Sequence, residues 1–126
     1  MSRKAHELQI KVKATYLRDQ SLPEADRYTF AYTVTMQNTG TIAAKLLGRR
    51  WVIIDANGKI MEVVGEGVVG EHPYLKPGEA FEYTSAATIE TPVGTMHGSY
   101  QLLADDGMPF EAPIAAFSLA IPRTLH

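Results

Sequence analysis

The chain contains no cysteine. That absence excludes a disulfide scaffold, a cysteine zinc site and thiol catalysis, and it fits a reducing compartment, so the cytoplasm is the expected location. Nor is there an excess of either charge: 12 Lys and Arg stand against 14 Asp and Glu, with no long run of one sign. A general binder of nucleic-acid backbones is therefore not expected. Long apolar runs are missing too. The N-terminal MSRKAHELQIKVK interrupts itself with charge, and the longest weakly polar stretch, residues 112–122, is broken by Pro113. Neither resembles a secretory signal or approaches the ~20 apolar residues of a membrane span, so a soluble protein with no membrane partner is expected.

What is present is alternation. In LQIKVKATY, Leu8, Ile10, Val12, Ala14 and Tyr16 share one side. YTFAYTVTMQN repeats the pattern from Tyr28, and AFEYTSAATIE does so from Ala80. Period two is the signature of half-buried strands. Residues 43–55, AAKLLGRRWVIID, are apolar on both phases, as for a central strand covered on two sides. The turn Asp55-Ala56-Asn57-Gly58 then predicts a hairpin, with 59–67 as its return arm. Thr91-Pro92-Val93-Gly94 reads as a strand terminator, SYQLLAD as a strand from Ser99, and Asp106-Gly107 as another hairpin turn. In PFEAPIAAFSLAIP the apolar phase flips between Phe110, Ala112, Ile114 and Phe117, Leu119, Ile121, which predicts a bulge within residues 113–116. About seven strands and no helix add up to one all-β domain over residues 1–126, an immunoglobulin or fibronectin type III-like sandwich.

One stretch invites a functional reading. Residues 65–70, GEGVVG, fit the G-x-G-x-x-G pattern of a dinucleotide-binding turn. That chemistry depends on a helix whose N-terminal amides face the pyrophosphate. Here Pro73, Pro77 and Gly78 follow at once and forbid it, while Glu66 and Glu71 put negative charge where phosphates would sit. The glycines instead predict backbone with positive φ or close approach in a connection between strands, with a small anion nest as the alternative.

Other chemistry is sparse. His6, His72, His97 and His126 show no metal-ligand spacing, and no metal site is expected. Ser85 and Ser99 lie outside any nucleophile elbow. Glu62, Glu66, Glu71 and Glu79 read as charges on solvated strand faces. Trp51, the single tryptophan, reads as a core residue, with a binding anchor as the alternative. The neighbouring Arg49 and Arg50 remain candidate surface residues. No catalytic residue or cofactor site is expected.

The strings RRWVIID, EVVGEGVVGEHPYLKPGEAFEYTSA, TPVGTMHGSYQL and PFEAPIAAFSLAIP together resemble the bacterial ApaG family from about Leu8 to Pro122. The chain departs from the family pattern with Arg50 for a frequent His, His72 for Gln, Ala86 for Gly and Ala115 for Pro. The resemblance implies a fibronectin type III or immunoglobulin-like sandwich. It also implies a family associated with cobalt resistance and magnesium efflux, whose genes neighbour a diadenosine tetraphosphate hydrolase and an rRNA dimethyltransferase. Related domains occur in F-box adaptors and in a polymerase-delta-interacting protein, and no catalytic set is established. The function expected is therefore a non-catalytic protein-interaction module, accessory to divalent-cation homeostasis. Its surface would be the loop with Gly65, Glu66, Gly67, Gly70, Glu71, His72 and Tyr74. A homodimer through strand edges is a further expectation. The alternative is binding of a small anion, nucleotide or divalent cation by the 65–70 loop.

Overall fold

Two antiparallel sheets face each other in the computed structural model, which describes residues 4–122. One sheet joins β1 (Leu8–Tyr16), β2 (Tyr28–Asn38) and β6 (Ala80–Ile89) in the order β1-β2-β6. The other runs β4-β3-β7-β8, built from β3 (Ala44–Asp55), β4 (Ile60–Glu66), β7 (Val93–Ala104) and β8 (Pro109–Ala120). A two-residue strand, β5 (Tyr74–Leu75), pairs with the start of β3 on the same side as β4. This is the expected immunoglobulin or fibronectin type III-like sandwich. The polar connection between β1 and β2 holds two single-turn 3-10 helices.

The inward phases predicted from alternation fill the space between the sheets. Phe30, Tyr32, Val34 and Met36 of β2 and Tyr83, Ala87 and Ile89 of β6 meet Leu46, Trp51, Ile53, Met96, Tyr100, Leu102 and Leu119 from the other side. Tyr83 and Tyr100 link the sheets by a hydroxyl-to-hydroxyl hydrogen bond inside this core. The bulge is where the phase flip placed it. Met96 pairs with Phe117 and Gly98 with Ile114, so two β8 residues face one on β7.

Three features differ from expectation. β7 begins at Val93, six residues before Ser99, so Gly94 belongs to the strand rather than to a terminating turn, and Gly98 lies within it. The outer face of β3 is not covered by a second layer: Lys45, Leu47 and Arg50 are exposed there, and only Val52 is shielded, between its neighbours His97 and Glu62. A further bulge at Leu47 also lacks any sequence signature.

Candidate functional site

The glycine stretch forms a second, smaller hairpin that continues from the end of β4. Val68 N donates to Glu71 O at 2.8 Å and Glu71 N donates back to Val68 O at 2.9 Å. The two residues between them, Val69 and Gly70, have φ of 45° and 78°. Positive φ at both central positions is the mark of a type I′ turn, whose twist suits a two-residue hairpin. Glycine at 70 adopts this at no steric cost. A β-branched residue at 69 does not, and its left-handed backbone is a strained position.

The other two glycines serve close approach. Gly67 has φ 58°, and a Cβ there would lie 2.2 Å from the Glu71 carbonyl oxygen. A Cβ on Gly65 would lie 2.7 Å from Arg49 Nη1. That contact is the base of the hairpin: Arg49 Nη1 donates to the carbonyls of Glu66 and Gly67, each at 2.9 Å. No carboxylate pairs with this guanidinium among the described residues. The two valines of the motif have opposite fates. Val68 is wholly buried in the core, whereas Val69 at the apex is 60% exposed.

The remaining candidates spread around this hairpin. Glu66 and Glu71 are exposed, and His72 lies beside Gly67. Tyr74 donates its hydroxyl to Asp105, and that bond raises its pKa. Arg50 is on the outer face, paired with Glu62 at 2.8 Å. Glu79 accepts from the Lys76 amide. His6 meets Asp106 at 2.8 Å, far from the bulge where His97 sits, and His126 lies outside the described residues. Among the described residues no three His, Asp or Glu side chains gather in a metal-binding group. The N–H groups of Gly67, Val68 and Glu71 are donated within the protein. An anion nest would need them free.

Trp51 is a core residue, 2% exposed, meeting Tyr32, Tyr100 and Phe117 edge-on. Its indole N–H has no hydrogen-bond partner among the described residues. The Tyr83 hydroxyl is close by, and its interaction with the indole opposes the rise that burial imposes on the Tyr83 pKa. Sequence reasoning missed Val69 and the role of Arg49. A valine is the wrong residue for a left-handed turn, and nothing local ties residue 49 to residue 67.

Comparisons with known proteins agree on kinship. The model of the ApaG domain matches residues 18–104. Protein ApaG of Methylococcus capsulatus is 80% identical over 126 residues, covering all of both chains. Protein ApaG of Thiobacillus denitrificans is 57% identical over 123 residues, covering 98% of this chain and 97% of its own. Among solved structures, the putative ApaA protein of Bordetella pertussis superposes with a TM-score of 0.94 at 47% identity, covering 98% of this chain and 100% of that one.

Proposed function

Since the chain belongs to the ApaG domain family, we propose that it is a non-catalytic protein-interaction module that presents the 65–74 hairpin to a protein partner. The observation that carries this reading is Val69, an exposed apolar side chain at a strained apex. Strained left-handed positions persist where the surroundings enforce them, and they concentrate at binding surfaces. Here the buried Val68 and the Arg49 contacts to Glu66 and Gly67 do the enforcing. A rigid apolar tip loses little conformational freedom on binding, which favours affinity.

The flanking Glu66, Glu71, His72 and Tyr74 supply a polar rim. The protein acts in the cytoplasm as an accessory factor in cobalt and magnesium handling, through its partner. Self-association uses the outer edge of β4, which among the described residues pairs only with β3 and exposes Ile60 and Val64.

The test is affinity capture with the wild-type protein and with Val69→Asp and Val69→Gly. Loss of a captured partner with both variants, at unchanged melting temperature for the aspartate form, is the expected result. Undiminished capture would retire the hairpin surface. Saturable amide shifts confined to residues 65–71 on adding pyrophosphate would instead favour small-anion binding.

A further inference from the structure

The sandwich is closed on one flank and open on the other. β1 and β8 touch along one side, while the edges of β4 and β6 stand apart. β6 offers the small residues Ser85 and Ala87 on its inward phase, opposite Trp51, Ile53, Met61 and Val63. Small against large leaves room, and the result is a cleft of about 300 Å³. That is the lower end of the range for small-molecule sites, which pair apolar walls with a few convergent polar groups.

The polar groups here are the Arg49 guanidinium and the hydroxyls of Tyr32, Ser85 and Thr88. Among the described residues Arg49 is the one charged side chain lining the cleft. Its Nη1 is taken up by the carbonyls of Glu66 and Gly67, and no carboxylate among the described residues pairs with the guanidinium. Trp51 belongs to the wall of the cleft, with its N–H buried on the side of Tyr83. A half-buried cation without a counter-charge is unfavourable, and an acceptor delivered from outside relieves it. The neighbouring hollow, which shares Met61 and Thr88, differs in kind. It carries Asp26, Arg27, Asp55, Lys59 and Glu90, and Lys59 is already paired with Glu90 at 2.8 Å. Its charges of both signs leave it without the lone cation that marks the cleft.

We propose that the cleft between β4 and β6 binds a small carboxylic acid with an apolar body, its carboxylate on Arg49 and its body against Trp51, Met61 and Val63. A carboxylate suits the planar guanidinium, which as a residue type recognises the paired oxygens of such a group. The body covers apolar surface that the parted sheets leave wet. The proposal requires no partner at the hairpin, although the two surfaces share Arg49.

The single tryptophan supplies the readout. In ¹⁵N-labelled protein the one indole N–H resonance is followed while 3-phenylpropionate is added, with 3-phenylpropionamide as the neutral control. The expected result is a saturable indole shift with the acid, accompanied by shifts at residues 85–87. The amide should bind at least about tenfold more weakly, the equivalent of one charge-assisted hydrogen bond. Ser85→Leu, which fills the cleft, should abolish the shift while leaving the resonances of residues 65–71 in place. Val63→Phe at the cleft mouth is the second variant should the first fail to fold. No saturation at about 10 mM acid, where even affinities weaker than 1 mM would register, overturns the proposal. Equal binding of acid and amide, or undiminished binding in a folded cleft variant, overturns it too.

Discussion

Tyr83 on β6 and Tyr100 on β7 meet hydroxyl to hydroxyl across the two sheets, in the middle of the core. Burial pushes both phenols above their ordinary pKa, Tyr100 far above it. Tyr83→Phe strands the Tyr100 hydroxyl in an apolar site and should cost about 1–3 kcal/mol by urea denaturation. The double variant Tyr83→Phe, Tyr100→Phe should cost less than the sum of the single changes, because it removes both polar groups together.

The same pair sets an alkaline limit. An acid whose folded pKa is raised stays protonated in the folded state while the unfolded chain ionises. Its contribution is thus complete below pH ~10 and falls as the pH rises beyond that. Stability measured from pH 8 to 11 should decline above ~10, and Tyr83→Phe should flatten the decline. An unchanged slope would show that these phenols ionise freely in the folded protein.

Gly67 and Gly70 both hold positive φ, yet they should respond differently to alanine. A Cβ at Gly70 meets nothing within 4 Å, so Gly70→Ala should cost only the left-handed penalty of about 1–2 kcal/mol. At Gly67 the same change drives a Cβ into the Glu71 carbonyl at 2.2 Å, and the loss should clearly exceed that of Gly70→Ala. Val69→Gly should be far milder than most valine-to-glycine changes. Relief of strain offsets the added freedom of the unfolded chain, so the midpoint should stay within about 1 kcal/mol of wild type.

His6 fastens the segment before β1 to the turn between β7 and β8 through Asp106 at 2.8 Å, with its ring against Phe110. The His6 bond is the main reason the Asp106 carboxyl sits below its ordinary pKa. A depressed acid contributes stability above its unfolded value, lost as the pH falls through the folded one. The fastening should therefore release below pH ~4. Exposed pairs of this kind contribute little to global stability. Asp106→Asn should leave the melt nearly unchanged while speeding hydrogen exchange at the Thr41 and Ile42 amides, which donate to carbonyls of residues 4 and 5.

Asn38 is buried at the end of β2, where its Nδ2 donates to the carbonyls of Ile42 and Leu75 at 3.0 and 2.9 Å and its Oδ1 accepts from the Gly40 amide. Asn38→Ala should lose about 3 kcal/mol, since it deprives buried backbone groups of partners. Exchange should accelerate first at β5, which this side chain ties to β2.

Most strands were legible because a two-layer sandwich writes its inside and outside in alternate residues. β7 was the exception, and its glycines explain why. Gly94 lies where a Cβ would come 2.8 Å from Ile54 O, and Gly98 where it would come 1.9 Å from Arg50 O. Both mark close contact with β3, but in the sequence they erase the alternation, and Gly94 reads as a turn residue. β5 is too short for any periodicity to register. At the candidate site the wrong chemistry was legible as wrong, since Pro73 and Pro77 deny the glycines a helix. The right geometry was not. A left-handed valine runs against its own propensity, and Arg49 reaches the hairpin through tertiary structure alone.

Arg49 faces two ways, holding the carbonyls of Glu66 and Gly67 while lining the cleft behind them. A group so placed cannot be disturbed from one side only. Whatever factor a cleft occupant applies to affinity at the hairpin tip, a hairpin partner must return to the cleft, because linkage between two sites on one molecule is reciprocal.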